Sequence, residues 1–121
     1  SLSGPMTNIL LAILASSLIH IFYPNMSLSM VSSSSIIGFC LSSLVTLNLL
    51  LAIFNLIPIP PLDGSKVLAS ILPKKDAAAY LSLEPMGIFI LFALLLIPLG
   101  PFSLMGLISN LLKFALSLLG L

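Results

Sequence analysis

The residues best able to do chemistry are one carboxylate and a few amides in apolar surroundings. Asp63 directly follows Pro58-Ile59-Pro60-Pro61-Leu62, and Asn48 and Asn55 precede it in a long apolar run. Seven residues separate the two asparagines, so they lie on nearly the same face of a helix. A carboxylate at the centre of a membrane helix costs about 2.5–3.5 kcal/mol. Asp63 therefore needs a compensating charge, hydrogen bonds or a metal.

Two structural explanations of Asp63 stand beside a functional one. As a helix N-cap, Asp63 would accept N–H bonds from the turn at 64–66. As an ion-pair partner, it would contact Lys66, three residues further along the chain. As a functional carboxylate, it would suit zinc, which accepts a carboxylate oxygen beside two histidines in catalytic sites that keep a position open for water. The residues alone leave these alternatives open.

The composition indicates that lipid surrounds most of the chain. Of the 121 residues, 60% are hydrophobic and 6% are charged, whereas about 25% charged residues are typical of soluble domains. The apolar residues come in long runs, as membrane helices require. The net charge of +1 includes no basic patch, which argues against binding to nucleic acid. The single cysteine, Cys40, excludes an internal disulfide.

The apolar runs predict an all-α integral membrane protein with three to four transmembrane helices. We expect one partial membrane-embedded domain over residues 1–121, with its spans at about 6–23, 36–57, 86–99 and 102–121. A serine-rich connection follows the first span, and a polar loop or interfacial helix covers 73–85. Prolines 58, 60 and 61 cannot continue a helix, so we expect a broken helix that presents Asp63. Pro98, Gly100 and Pro101 predict a second break.

The first span carries small or polar residues at every fourth position. Gly4, Asn8, Ala12 and Ser16 recur at this spacing, and Ala15 lies beside them. Small side chains let another helix approach closely in lipid. We therefore expect this face to pack against a neighbouring helix.

Three segments together resemble the site-2 protease family of zinc intramembrane metalloproteases. Its Asn, Pro and Asp-Gly signature is similar to Phe54-Asn55-Leu56-Ile57-Pro58-Ile59-Pro60-Pro61-Leu62-Asp63-Gly64. The stretch that opens an earlier helix of the family resembles Gly4-Pro5-Met6-Thr7-Asn8. In the compact bacterial branch, the segment after the signature resembles Tyr80-Leu81-Ser82-Leu83-Glu84-Pro85-Met86-Gly87. The three matches occur in the family's order.

The resemblance implies a role for each matching residue. Asp63 would be the third zinc ligand. Asn55 would lie near the metal and hold the substrate peptide or polarise its carbonyl, and Asn8 would face the same cavity. The implied substrates are transmembrane segments of other proteins, and the implied location is the bacterial cytoplasmic membrane. The oligomeric state is not indicated.

One family signature has no counterpart in the sequence. The family's His-Glu-x-x-His helix supplies two zinc ligands and the general base, but His20 is the only histidine and Glu84 lies in the polar stretch. We expect His20 to be a packing or interfacial residue. We also expect the chain to be the C-terminal part of a longer protein and to be inactive alone. The alternatives are a non-catalytic protein that binds membrane segments and a small transporter or scaffold subunit.

Overall fold

The computed structural model describes residues 3–60, 62–97 and 103–121, and these ranges are helical without any strand. This confirms the all-α prediction. The expected break at Pro98, Gly100 and Pro101 lies outside the described residues, as do Pro61 and the adjoining ends of the last two expected spans. The described helices are α1 (Ser3–Phe22), α2 (Leu28–Ser34), α3 (Ile36–Asn55), α4 (Asp63–Ile71), α5 (Lys74–Leu81), α6 (Glu84–Leu96) and α7 (Leu104–Leu118).

Helices α1 and α3 pack against each other in antiparallel orientation. At one end, the hydroxyl of Tyr23, just after α1, lies 2.8 Å from the Ser35 Oγ, just before α3. At the other end, Gly4 in the first turn of α1 lies beside Asp63, which follows α3 in the chain. The contact at the first end joins residues 12 positions apart, whereas the contact at the second end joins residues that are far apart in sequence.

Small side chains form the contact between α1 and α3. Ala12, Ala15 and Ser16 of α1 are buried, as are Val45 and Ala52 of α3. Close approach of two backbones at small residues is how helices associate in lipid. The predicted small-residue face is thus confirmed for these three positions of α1.

Large apolar side chains point outward from the helices. Leu14, Phe22, Ile36 and Phe89 are more than half exposed, and the same holds for many other leucines and phenylalanines. In water such a surface would cause aggregation, whereas in lipid it is the expected exterior. The surface therefore agrees with a membrane protein.

Two helices are long and apolar enough to cross a membrane by themselves. They cover Gly4–Phe22 and Ile36–Asn55. Helices α5 and α6 together pass the same test, but they bend by 68° at the break between them, so the described part of the chain has two spans, or three if this pair counts as one. Helix α7 is apolar but only 15 residues long, which spans about 22 Å.

Two segments expected as connections contain short helices. The serine-rich segment forms α2, and Ser27 caps it by accepting a hydrogen bond from the Met30 N–H. Ser35 caps α3 in the same way through the Gly38 N–H at 3.0 Å. Serine hydroxyls satisfy helix-terminal N–H groups in this manner, which explains why a serine-rich connection still forms a turn of helix. In the polar segment 73–85, for which a loop or an interfacial helix was expected, the chain forms the helix α5.

Helix α7 runs antiparallel to α3 and returns to the far end of α1. Its first turns share an apolar pocket with the last turn of α3, where Leu107 and Ile108 face Ile53 and Ile57. At its other end, the carbonyl oxygen of Leu119 lies 2.7 Å from the Nε2 of His20. Helices α1, α3 and α7 therefore pack together, and α2 adds the fully buried Val31 to the same core.

Candidate functional site

The candidate site begins where α3 stops. After Asn55 the chain makes two tight turns, in which the Ile59 N–H donates to the Ile57 carbonyl and the Leu62 N–H donates to the Ile59 carbonyl, both at 2.9 Å. Prolines in this stretch remove the N–H groups that would continue a helix. The predicted proline break is thus confirmed. Helix α4 begins directly after it, with Asp63 as its first residue.

Gly64 brings the start of α4 against the end of α3. A β-carbon on Gly64 would lie 2.3 Å from the Leu56 carbonyl oxygen and 2.6 Å from that of Ile57. No side chain fits at such distances, so the position requires glycine. The backbone of Asp63 and Gly64 consequently doubles back onto the residues that directly follow Asn55.

The Asp63 carboxylate takes neither structural role that the sequence left open. Leu62, not Asp63, is the N-cap of α4, and this terminus has no side-chain capping bond. The N-cap explanation is therefore wrong, because the helix begins at Asp63 itself, one residue earlier than that role requires. Within the described chain, no ion pair joins Asp63 to the exposed side chain of Lys66. Asp63 is half-buried, and its place in a first helical turn favours a negative charge.

The N-terminus of α1 forms the opposite wall of the site. A β-carbon on Gly4 would lie 3.3 Å from the Asp63 Oδ2. Asn8 is four residues further along α1, on the same face and about 6 Å along the helix axis. Asn8 and Asn55 are both half-buried. The fold therefore brings the Gly4–Asn8 segment, the end of α3 and Asp63 to one end of the helix pair.

Asn48 does not share this environment. It is only 8% exposed, and its Nδ2 donates to the Leu44 carbonyl oxygen of its own helix at 2.7 Å. This bond satisfies one of the amide hydrogens within α3. Asn48 therefore meets protein inside the packed helices, whereas Asn55 lies at the end of α3 beside the proline break.

Sequence reasoning missed two residues that hold this region. Ser65 is 1% exposed, and both its Oγ, at 2.6 Å, and its N–H, at 3.0 Å, donate to the Leu62 carbonyl oxygen. The Tyr80 hydroxyl, from α5, donates to the Pro58 carbonyl oxygen. The only sequence signals were the position of Ser65 just after Asp63-Gly64 and the occurrence of Tyr80 in a family-like segment.

His20 and Glu84 lie away from Asp63. His20 is near the end of α1, sixteen residues from Gly4, which corresponds to about 24 Å along the helix. Its ring nitrogen Nε2 bonds the Leu119 carbonyl, which agrees with the expected packing role. Glu84 is the exposed first residue of α6. Among the described residues, no group of three His, Cys, Asp or Glu side chains could hold a metal ion.

The described residues therefore do not form a complete zinc site, but one of them could serve as a ligand. Asp63 is suitable as a ligand, because its carboxylate is half-buried and neither caps a helix nor pairs with Lys66. Gly4, which lies beside it, also leaves the space next to the Asp63 Oδ2 free of a side chain. A catalytic zinc site needs three protein ligands. The geometry thus fits a contribution to a metal site rather than a whole one.

Comparison with known proteins identifies the family. The sequence profile of "Peptidase family M50" matches residues 14–98. The protein named "Putative zinc metalloprotease YwhC" from Bacillus subtilis is 30% identical over 104 residues, which cover 86% of this chain and 48% of that protein. A Methanocaldococcus jannaschii protein, also named a "Putative zinc metalloprotease", is 44% identical over 68 residues, which cover 56% of this chain and 31% of that protein.

The chain belongs to peptidase family M50, the site-2 protease family. It spans about half the length of the first of these relatives and about a third of the second. The names of both relatives imply zinc for the family. No solved structure matches the chain.

Proposed function

We propose that the complete protein is a zinc-dependent intramembrane endopeptidase, and that this chain supplies the third metal ligand through Asp63. The observation that carries the proposal is the convergence of Asp63, the first turn of α1 and the end of α3. Those segments are the ones that resemble the family signatures. Two further ligands and a general base would come from a His-Glu-x-x-His helix elsewhere in the complete protein.

The proposed roles follow from where each side chain lies. Asp63, held in the first turn of α4 by Ser65 and Gly64, would hold the metal from one side. Zinc in such a site polarises the scissile amide and lowers the pKa of a bound water. Asn55, at the end of α3, and Asn8, one turn into α1, are half-buried amides that would hold the substrate peptide by hydrogen bonds. Amides suit this task because each has donor and acceptor atoms.

The proposed substrates are transmembrane segments of other proteins, and the proposed location is the bacterial cytoplasmic membrane. The exposed apolar surface of α1 and α3 requires a bilayer, and a substrate that shares the bilayer could approach the site laterally. Residues 1–121 would form one partial membrane-embedded unit of the enzyme.

The test is to replace Asp63 in the complete protein. Asp63→Ala should abolish cleavage of a membrane-embedded substrate and lower the zinc content measured by mass spectrometry, while the protein still accumulates in the membrane. Loss of groups that only support a ligand already costs about 10–100-fold in affinity or activity, so loss of a ligand should cost at least about 100-fold.

Asp76 provides the matched control. It is the other aspartate of the chain, it is exposed, and it lies in the first turn of α5. Asp76→Ala should leave both zinc content and cleavage unchanged. If Asp63→Ala cleaves normally, the assignment of Asp63 is wrong. If the complete wild-type protein binds no zinc, the non-catalytic alternative replaces the protease proposal.

A further inference from the structure

We propose that Tyr80 is a positioning residue, which fixes the proline-broken connection and through it the orientation of Asp63. The structural observation is a hydrogen bond from the Tyr80 hydroxyl to the Pro58 carbonyl oxygen, across 22 residues of sequence. The consequence for metal binding rests on the proposed function, whereas the consequence for the geometry of Asp63 does not.

The Pro58 carbonyl has no backbone donor available nearby. Residues 60 and 61 are prolines and carry no N–H. The Leu62 N–H is already used by the Ile59 carbonyl at 2.9 Å, and no described backbone hydrogen bond ends on the Pro58 oxygen. Pro58 is exposed on the surface of the chain, but at membrane depth no water is available, so its carbonyl group needs a partner from the protein. The proline sequence that breaks the helix therefore also creates the need for a donor from elsewhere in the chain.

Tyr80 reaches this carbonyl from a separate helix. It lies near the end of α5 and is half-buried, while its neighbours Ala79 and Leu81 are exposed. Helix α5 also packs against α4, the helix that begins with Asp63. The Tyr80 bond consequently ties α5 to the entry of the connection, and α5 also packs against the helix that follows the connection. One element therefore contacts the chain on both sides of the proline break.

The position of Asp63 depends on that segment being fixed. Asp63 follows Leu62 directly, and Gly64 contacts the carbonyls of Leu56 and Ile57. A shift of Pro58 would move these carbonyls, which are the backbone groups that the first turn of α4 packs against. Tyr80 acts through the backbone and needs no contact with a metal or a substrate, so its removal should loosen the geometry of Asp63 without unfolding the helices.

The experiment compares two conservative variants of the complete protein, Tyr80→Phe and Tyr23→Phe. These are the only tyrosines of the chain, and each makes a hydrogen bond through its hydroxyl, Tyr23 with Ser35 at the opposite end of the α1–α3 pair. Each variant removes one hydroxyl and keeps the ring. If the Tyr80 hydroxyl only stabilised the fold, as the Tyr23 hydroxyl does at the other end, the two variants would have the same effect on the geometry at position 63.

The first readout reports on position 63 independently of zinc. In an Asp63→Cys background that also carries Cys40→Ala, which removes the chain's native thiol, maleimide labelling of residue 63 is measured as a ratio to its labelling in the denatured protein. Tyr80→Phe should raise this ratio about fivefold, the change that corresponds to loss of one hydrogen bond, while Tyr23→Phe should leave it unchanged. An unchanged ratio with Tyr80→Phe, or an equal rise with both variants, would overturn the proposal.

The second readout uses the native Asp63. Tyr80→Phe should lower zinc affinity and kcat by about tenfold, as expected when a group that orients a ligand is lost, with KM retained, and Tyr23→Phe should change neither. A shifted labelling ratio in a protein that never binds zinc would support the positioning role and refute the protease proposal. A functional zinc protease with an unaffected Tyr80→Phe variant would refute only the positioning role.

Discussion

At the scale of single residues, the site around Asp63 depends on two backbones that nearly touch. Gly64 lies so close to the Leu56 and Ile57 carbonyls that even a methyl group would collide with them. Ser65, buried beside it, holds the same turn through the Leu62 carbonyl. The carboxylate is thus placed by contacts of its chain neighbours rather than by partners of its own.

We expect Gly64→Ala to displace the start of α4. The added methyl group should destabilise the protein by about 1–3 kcal/mol, the usual cost of overpacking, and lower zinc binding because Asp63 moves with its neighbour. Unfolding in mixed detergent micelles and zinc content would measure the two effects. Ser70→Ala, on the exposed side of the same helix, should change neither. Normal zinc content in Gly64→Ala would contradict the close approach of Gly64 to the Leu56 and Ile57 carbonyls.

The sequence predicted which polar residues lie in apolar surroundings, but not which contacts each of them makes in the fold. Asp63 stood out because a carboxylate is costly in apolar surroundings, and Asn55 because a buried amide needs partners, whereas Asn8 was assigned to the site by the family resemblance. The N-cap role failed because the choice between Leu62 and Asp63 as cap depends on a shift of one residue, which composition does not determine. The contact between Tyr80 and Pro58 spans 22 residues, and no local pattern encodes it.

At the scale of elements, α1 and α3 are joined by small residues and surrounded by large ones. Ser16 and Ser17 show the contrast at adjacent positions. Both hydroxyls donate to the Ile13 carbonyl, at 3.0 and 2.9 Å, but Ser16 is 4% exposed whereas Ser17 faces outward. The two serines therefore make the same local hydrogen bond in opposite surroundings.

This pair of serines gives a direct test of the packing face. Ser16→Leu should destabilise the α1–α3 pair by about 1–3 kcal/mol because the larger side chain forces the backbones apart. Ser17→Leu places the same side chain toward lipid and should stay within about 0.5 kcal/mol of the parent protein. The free energy of unfolding of both variants in micelles measures this difference. Equal destabilisation would show that the two positions are not on opposite faces.

The apolar runs of the sequence predicted the long helices better than the short ones. Spans 6–23 and 36–57 match α1 and α3 because an apolar run of about 20 residues has few alternatives in a membrane. Helices α2 and α5 were expected only as connections or interfacial segments. Helix α2 is capped locally by Ser27, and α2 and α5 pack against α3 and α4, respectively; this packing is a tertiary property that a local pattern does not encode.

At the scale of the whole molecule, His20 links the first described helix to the last. Its Nε2 donates to the Leu119 carbonyl, and Gly120, with a φ of 75°, turns the chain away just beyond. A positive φ is readily available to glycine, and a β-carbon at Gly120 would lie 3.2 Å from the His20 Nε2. The contact lies at the end of α1 that is opposite to Asp63.

We expect His20→Ala to weaken the docking of α7 without affecting the candidate metal site. Loss of one hydrogen bond should lower the free energy of unfolding by about 0.5–1.5 kcal/mol. His20→Gln keeps an N–H donor and should recover part of the loss. Unfolding in micelles and zinc content measure both properties, and a loss of zinc in His20→Ala would contradict the separation of His20 from Asp63.

The antiparallel arrangement of α1 and α3 also sets an order of events during biosynthesis. Gly4 and Asp63 meet in the folded protein, although about 60 residues of chain separate them. At about 5–20 residues per second, a ribosome needs roughly 3–12 s to make that stretch. During this interval the first turn of α1 is already made but has no carboxylate beside it. The wall that shields the carboxylate is therefore made first, and Asp63 arrives at a surface that already exists.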